Sequence, residues 1–374
     1  MHSGSQAAST PAPATSSTTR ARLRRVVRLF ATPLQPSHYL ELFNPLWATH
    51  ALRARVERVQ AETAEARTLT LRPGRGWRQH RPGQYVALGV TIDGVRQTRT
   101  YSITSAPHAA DGCFRITVKA IAGGRVSRFL VRDLQPGAVV ALGQPQGDFV
   151  LPDAAPAGLL FITAGSGITP VMSMLRDAAA RGAVPDAVHL HYAPAATEVI
   201  FADELRRLRE REARYRLHLA YTRNAATASR HFSAAQLGGI CPDWRAREVW
   251  ACGPPALLAA IEAHWAAAGL GQRLHIERFV TPRAVATPPG VGGTVRFAAS
   301  RRAAQGDAHT PLLHVAEGIG LSPPYGCRMG ICHTCDTPLL AGCVRDLRNG
   351  AVLSAGQKVQ LCVCAAAGDV DLAL

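Results

Sequence analysis

Long apolar runs are absent from this sequence of 374 residues. None approaches the roughly 20 residues that a membrane-spanning helix needs, and the first thirty residues lack the apolar core of a secretory signal. A nucleic-acid-binding motif and an internal repeat are absent as well. We therefore expect a folded, cytoplasmic protein that does not bind nucleic acid. Its formal net charge of +16 favours an anionic membrane or an acidic protein as partner.

The cysteine pattern lacks the features of a disulfide framework, so we expect none. The nine cysteines are an odd number, and six of them lie between Cys327 and Cys364, which predicts a metal site in a reducing compartment. The group reads Cys327-x4-Cys332-x2-Cys335, and Cys362 follows at a distance. Plant-type [2Fe–2S] sites have this C-x4-C-x2-C spacing and a distant fourth cysteine. Zinc is the alternative, but structural zinc sites prefer paired C-x2-C knuckles, and Cys364 is the alternative fourth ligand.

The first 50 residues predict a disordered tail and a basic extension. Residues 1–20 are rich in Ser, Thr, Ala and Pro, a composition that does not form a packed core. The stretch RARLRRVVRLF follows, with apolar residues at helical spacing among arginines. Such a segment suits an anionic membrane surface, and a short helix packed on the protein body is the alternative.

The rest of the chain predicts a multidomain protein. Short strands separated by Gly, Pro and Asp turns predict an antiparallel β-barrel over residues 51–152. Apolar strands then alternate with helices over 153–282, which predicts a doubly wound α/β domain with a parallel sheet. A Pro/Gly-rich linker at 283–292 leads to a final domain at 293–374.

The stretch RTYSITSAP at 99–107 suits a flavin site on a barrel strand. Arg99 can bind a phosphate by charge-assisted hydrogen bonds. Tyr101 can stack on the isoalloxazine ring, and Ser102 can donate a hydrogen bond near its N5 atom. An ordinary strand with an exposed arginine is the alternative.

Glycine-rich turns before two predicted helices are candidate phosphate sites. GGRVSRFL at 123–130 and FITAGSGITPVMSML at 161–175 each place glycines where a helix begins. Backbone N–H groups and the helix dipole favour phosphate at such a terminus, and the second turn has the position of a dinucleotide site in a doubly wound sheet. The candidate residues are Gly124, Ser127, Gly165, Gly167, Thr169 and Pro170.

A later strand end repeats this arrangement in ACGPPALL at 251–258. Gly253 and Pro254 would contact the dinucleotide, and Cys252 would face the nicotinamide. A small buried residue is the alternative for Cys252.

In this order the motifs RTYSITSAP, GSGITP and CGPP resemble the ferredoxin–NADP reductase superfamily. With CRMGICHTC behind them, residues 50–374 resemble its subgroup with a C-terminal plant-type ferredoxin domain, which implies an α+β (β-grasp) fold there. The resemblance implies an NAD(P)H:ferredoxin-type flavoprotein oxidoreductase. Hydride passes from NAD(P)H to the flavin, and single electrons then reach the cluster and an acceptor. Ser102 and Cys252 are the implied catalytic residues.

The resemblance also implies finer assignments. The match of GGRVSRFL to a pyrophosphate-binding element implies FAD rather than FMN. Arg223, with Arg230 nearby, lies where NADP-preferring relatives place an arginine, which implies NADPH rather than NADH. Phe279 resembles the family's aromatic residue near the flavin, although here it does not end the chain. The implied ligands of the [2Fe–2S] cluster are Cys327, Cys332, Cys335 and Cys362, with Cys364 as a buried neighbour.

The stretch TPLQPSHYLELFNPLWATH in the extension is similar to reductases that serve membrane fatty acyl desaturases. A membrane desaturase is therefore the expected electron acceptor, with this protein peripheral at the inner face of an anionic membrane. A reductase component for a Rieske-type or other oxygenase is the alternative. An alternative of another class is a redox-sensing iron–sulfur protein.

Overall fold

The computed structural model describes residues 41, 43–48, 51–152, 154, 156–182, 184–223, 231–279, 292–326, 328, 330, 333–348 and 350–374. The predicted disordered tail, the arginine-rich stretch and nearly all of the linker at 283–292 lie outside these residues. None of the helices among the described residues has both the length and the apolarity needed to cross a bilayer.

The first domain is an antiparallel barrel, as predicted. Its sheet order is β4-β3-β6-β1-β2-β5, and a bridge between Ile103 and Ile116 joins the two ends. Alternate apolar side chains, such as Val56, Leu69 and Leu88, fill the interior because successive residues of a strand point to opposite faces. The elements are β1 (Arg53–Thr63), β2 (Ala66–Pro73), β3 (Tyr85–Ile92), β4 (Val95–Ser102), β5 (Phe114–Lys119), helix α1 (Arg125–Arg132) and β6 (Val139–Leu142).

The second domain is a five-stranded parallel sheet in the order β11-β10-β7-β8-β9, with helices between the strands. The carboxyl ends of all five strands therefore meet at one edge, where ligands bind in open α/β sheets. The elements are β7 (Gly158–Ala164), α2 (Ile168–Ala180), β8 (Asp186–Ala193), α3 (Ala202–Arg211), β9 (Tyr215–Tyr221), α4 (Ala234–Ile240), β10 (Glu248–Cys252), α5 (Pro255–Ala267) and β11 (Leu274–Glu277).

The third domain has a mixed sheet in the order β13-β12-β17-β14-β15, and β16 pairs with β14. One helix packs on this sheet through buried Leu312 and Leu313, which confirms the α+β prediction. The residue-level domain boundaries stay a prediction. The elements are β12 (Gly293–Phe297), β13 (Arg302–Gly306), α6 (Leu312–Gly318), β14 (Asp336–Asp346), β15 (Val352–Ser354), β16 (Lys358–Gln360) and β17 (Cys364–Leu372).

Two histidines lie fully buried in the parallel sheet. His189 Nε2 and His191 Nδ1 are 2.8 and 2.7 Å from the hydroxyl oxygen of Thr163, and His189 Nδ1 is 2.7 Å from the Tyr215 hydroxyl. Burial lowers the pKa of His191 to about 3, assisted by the charge of Lys119, and it lowers the pKa of His189 well below its usual value. Both imidazoles are therefore neutral in the folded protein at neutral pH.

This burial predicts a protein that loses stability in mild acid. A histidine in the unfolded chain has a pKa near 6.5, so below that pH the unfolded chain binds more protons than the folded protein. The free energy of unfolding should fall as the pH falls from about 6.5 towards 3, by up to about 1.4 kcal/mol per pH unit for each histidine. Urea unfolding at several pH values measures this slope. His191→Gln should reduce it, whereas the exposed control His314→Gln should leave it unchanged; equal slopes for both variants would contradict the prediction.

Candidate cofactor sites

The outer face of the barrel strands β3, β4 and β6 carries small side chains. Because strand residues alternate between faces, this face collects every second residue of β3 and β4. At Gly89 an added Cβ would lie 3.2 Å from both Ala141 Cβ and Thr98 Oγ1, and at Gly143 it would lie 3.2 Å from Ala87 Cβ. Small side chains therefore form most of this surface. The flexible side chain of Arg96, whose Nε lies 3.3 Å from the same Gly89 position, would have to turn aside for a planar ring system. We call this surface the small-residue strip: Ala87, Gly89, Thr98, Thr100, Ala141 and Gly143.

Residues of both other domains line clefts next to this strip. At one end, a narrow cleft is lined by Thr100 and Ser102 of the barrel together with Glu277 and Phe279, at the end of β11. At the other end, a cleft of about 630 Å³ lies between the strip and the segment at 322–325 that precedes the cluster loop. A flat ligand on the strip would thus be in reach of both the parallel sheet and the ferredoxin-like domain.

The predicted flavin residues take different positions around the strip. Ser102 is buried and lines the cleft, and its flavin role stays a prediction. Tyr101 points to the opposite face and packs against the barrel core. Its hydroxyl has no hydrogen-bond partner among the described residues, and burial raises its pKa. Arg99 donates from Nη1 to the carbonyl oxygen of Gly326, at 3.2 Å. Its guanidinium therefore reaches the cluster loop, and the phosphate role of Arg99 stays a prediction.

The start of helix α1 is a tight glycine turn. Gly123 has a positive φ of +72°, and a Cβ on Gly124 would lie only 2.4 Å from Ile121 Cγ1. The Ser127 hydroxyl donates to the Gly124 carbonyl and accepts from the Ile121 N–H, both at 3.3 Å. The turn thus presents backbone rather than bulky side chains, which fits the predicted pyrophosphate contact.

The predicted dinucleotide turn lies against the end of β10. Gly165 has a φ of +53°, and a Cβ on Gly167 would lie 2.1 Å from the carbonyl oxygen of Cys252. Helix α2 begins at Ile168, so Thr169 and Pro170 lie in its first turn. Pro170 has no backbone N–H, and this is tolerated because the first turn of a helix has no partner for that group. The structure brings the two glycine motifs, 85 residues apart in sequence, into direct contact.

The end of β10 also pairs with the end of β11. Cys252 lies beside Glu277 in the parallel register, while Gly253 and Pro254 lead into α5. Burial and the charge of Glu277 raise the pKa of the Cys252 thiol well above its usual value, so the thiol stays protonated. Cys252 is fully buried, as the alternative reading expects, and its contact with the nicotinamide stays a prediction.

Glu277 was not recognised from the sequence. Burial and the nearby charge of Asp148 raise its pKa to about 7, so near neutral pH it can hold or release a proton beside Ser102. The signal that could have identified it is an acidic residue two positions before Phe279, at a predicted strand end.

The described part of the cluster loop brings two of the four predicted ligands together. Cys335 Sγ and Cys362 Sγ lie 3.3 Å apart in a buried position. Cys327 and Cys332 lie outside the described residues, and within these no third metal-ligating side chain completes a site around the two sulfurs. Cys364 is buried in β17, and burial beside Asp346 raises the pKa of its thiol to about 12. The short sulfur–sulfur distance favours Cys362 over Cys364 and fits a cluster held by thiolates.

Comparison with known proteins matches the same three units. Residues 55–151 match the oxidoreductase FAD-binding domain family, residues 161–263 the oxidoreductase NAD-binding domain family, and residues 297–367 the 2Fe-2S iron-sulfur cluster binding domain family. An NADPH oxidoreductase of Mycobacterium tuberculosis is 46% identical over 354 residues, which cover 94% of this chain and 91% of the relative.

The chain belongs to the ferredoxin–NADP reductase superfamily, in the group with a C-terminal [2Fe–2S] domain. A glycine betaine monooxygenase reductase subunit of Pseudomonas aeruginosa is 32% identical over 298 residues, which cover 73% of this chain and 80% of the relative. In fold the chain is similar to phthalate dioxygenase reductase, with a TM-score of 0.59, 22% identity and coverage of 86% of this chain and 97% of that one.

As a member of this group, the reductase uses FAD, a nicotinamide dinucleotide and a [2Fe–2S] cluster, and it transfers electrons from NAD(P)H to a partner. The cofactors supply hydride and single-electron chemistry when bound. The predicted contribution of the chain is placement: the small-residue strip would hold a flat ring, the α1 and α2 termini would favour phosphates, and Cys335 and Cys362 would supply thiolates.

Proposed function

We propose that this reductase delivers electrons to a membrane fatty acyl desaturase. The proposal rests on the N-terminal extension. The alignment with the Mycobacterium tuberculosis relative covers 94% of this chain, so it must include more than half of residues 1–50. That stretch contains the segment TPLQPSHYLELFNPLWATH, which is similar to desaturase-serving reductases.

The described end of the extension has the chemistry of a membrane-proximal segment. Phe43 is 83% exposed and Trp47 37% exposed, with the guanidinium of Arg75 5.5 Å from the Trp47 ring. Buried Leu46 fixes the segment to the barrel, because its carbonyl accepts from the Arg75 N–H at 3.0 Å. Aromatic side chains beside cations suit the interface of an anionic membrane, which supports a peripheral position at the inner face of the membrane.

An oxygenase is the second candidate acceptor. It is favoured by the curated relative that is a monooxygenase reductase subunit. A redox-sensing role is a third possibility, and it would require slow turnover.

Reconstitution tests these functions against each other. The full chain, loaded with FAD and iron, is mixed with a membrane desaturase in anionic vesicles or with a Rieske-type oxygenase. NADPH consumption is then compared with product formed. The proposal expects product in proportion to NADPH with the desaturase. Coupling with the oxygenase alone would replace the desaturase as acceptor, and slow turnover with every acceptor would favour the sensor.

We further propose that NADPH is preferred over NADH. Arg223 follows β9 at the ligand-binding edge of the sheet, where its N–H donates to the Pro194 carbonyl at 3.0 Å. Its side chain is 74% exposed and pairs with Glu198 at 2.9 Å, so it can turn to a 2′-phosphate. The name of the 46% identical relative supports the same preference. Arg230 lies outside the described residues.

The corresponding prediction concerns Arg223→Gln. A hydrogen-bonded charge pair with phosphate contributes about 1.5–3 kcal/mol, so kcat/KM for NADPH should fall about tenfold or more. The value for NADH should stay within about twofold, because NADH has no 2′-phosphate. Arg216→Gln is the matched control, since Arg216 pairs with Asp186 at the other end of β9. Equal losses with NADPH and NADH would contradict the assignment.

A further inference from the structure

An ion pair beside the cluster loop has no role in the sites described so far. Asp346 is 4% exposed at the end of β14, and Arg348 follows in the next turn. Arg348 Nε lies 2.9 Å from Asp346 Oδ1, and Nη2 lies 2.5 Å from Oδ2. The backbone N–H of Arg348 donates to the same carboxylate at 2.9 Å. These bonds fix the guanidinium in one orientation.

The free edge of the guanidinium is directed at the cluster loop. Arg348 Nη1 donates to the carbonyl oxygen of Gly330 at 2.7 Å, and Gly330 lies between the predicted ligands Cys327 and Cys332. Gly330 has a φ of +71°, and a Cβ there would lie 2.5 Å from Arg348 Nη1 and 2.9 Å from Val363 Cγ2. The guanidinium is therefore packed between the Asp346 carboxylate and the backbone of Gly330.

A second contact ties the same turn to the fourth predicted ligand. The N–H of Leu347 donates to the carbonyl oxygen of Val363 at 2.7 Å, and Val363 directly follows Cys362. The turn thus holds both segments that supply cluster ligands, the loop and the approach to β17.

A charge in this position acts on the redox equilibrium. The reduction potential of an iron–sulfur cluster depends on net charge, hydrogen bonding and solvent exposure. Reduction adds one negative charge, so a nearby cation stabilises the reduced cluster more than the oxidised one, and an anion has the opposite effect. Arg348 contacts the loop, whereas Asp346 lies behind it.

We propose that Arg348 positions the cluster loop and raises the reduction potential of the cluster, with Asp346 orienting its guanidinium. The proposal goes beyond the acceptor question and rests on the predicted ligand set. Arg348 is a positioning residue, since among the described residues it bonds to Asp346 and to the Gly330 carbonyl in the loop.

The test compares Asp346→Asn with the double variant Asp346→Asn/Arg348→Gln, both as full chains with FAD and cluster. Removing Asp346 first avoids an unpaired buried carboxylate, which would destabilise the fold by itself. The midpoint potential of the cluster is measured by redox titration, followed by visible absorption and electron paramagnetic resonance. D346N should raise the potential. Adding R348Q should lower it again by about 59 mV, which is a tenfold change in a one-electron equilibrium.

A matched control is available in the same domain. Arg296 and Asp371 form an exposed pair at 3.3 Å between β12 and β17, and R296Q/D371N should leave the potential unchanged. The proposal is overturned if the double variant has a potential equal to or above that of D346N.

Loss of the cluster from one of these variants also tests the proposal. If only the double variant loses the cluster, the loss supports the positioning role, because Arg348 is the only group that differs between the two variants. Loss from D346N with FAD retained also supports the positioning role, because the guanidinium then lacks the carboxylate that orients it, whereas loss of FAD as well would show general unfolding and overturn the proposal. An unmodified chain without a cluster would instead overturn the ligand set.

Discussion

Gly167→Ala should abolish most NADPH-dependent activity. The added Cβ would lie 2.1 Å from the carbonyl oxygen of Cys252 and 2.5 Å from its carbonyl carbon. Both atoms are backbone, so either helix α2 or strand β10 must move. Overpacking of this kind typically costs about 1–3 kcal/mol of unfolding free energy. A displacement of about 1 Å at a binding site can reduce turnover about a hundredfold, and kcat/KM for NADPH with ferricyanide as acceptor should fall by at least tenfold.

Gly271→Ala is the control for this variant. Nothing lies within 4 Å of a Cβ built on Gly271, and it precedes β11 in the same domain. Its activity and urea midpoint should match those of the unmodified chain. Gly167→Ala with full activity would show that the contact between the two glycine motifs does not position the dinucleotide.

Much of the fold could be predicted because local patterns determine it. Alternating residues in β2 and β3, and apolar runs such as β7, predict strands whatever surrounds them. Helix α4 was missed because it spans only seven residues, Ala234–Ile240, and contains Gly238 and Gly239, which disfavour helix. It forms because Ser233 caps it, accepting from the Gln236 N–H at 3.2 Å, and because Leu237 is buried under it.

The parts of the site that a short sequence motif determines locally were predictable. A glycine turn at a strand end predicts a phosphate-binding terminus, and the contact of Gly167 with Cys252 follows from the adjacency of β7 and β10. Contacts between domains were not predictable in this way. Arg99 donates to Gly326, which is 227 residues away in sequence. The pKa of Glu277 is raised by burial and by the charge of Asp148 on the barrel side.

The small-residue strip shows a different limit. Its residues occur in YVALGV, TRTYS and VVALG, where each reads as an ordinary strand residue. Only the pairing of β3 with both β4 and β6 places Ala87, Gly89 and Gly143 side by side. The register of nonlocal strands therefore creates a surface that no single segment encodes.

Cys335→Ser should remove the cluster while leaving the flavin and nicotinamide sites intact. Cys335 is 2% exposed and its sulfur lies 3.3 Å from that of Cys362. Serine is a poor ligand for this site, because plant-type [2Fe–2S] clusters are held by four cysteine thiolates. We expect the iron–sulfur absorption to disappear and cytochrome c reduction to fall by about a hundredfold, at the upper end of losses for perturbed metal sites. NADPH–ferricyanide activity should persist, since ferricyanide is small enough to accept electrons at the flavin.

Three further serine variants decide what this loss means. Cys343 is partly exposed on β14, where it pairs with Ser354, so Cys343→Ser should keep both activities. Cys364→Ser should keep the cluster if Cys362 is the fourth ligand, although the buried thiol contributes to packing. A cluster that survives Cys362→Ser but not Cys364→Ser would reverse this assignment. Survival of the cluster in Cys335→Ser would show that the close sulfur pair belongs to packing, because a four-thiolate site cannot lose one of its converging ligands without consequence.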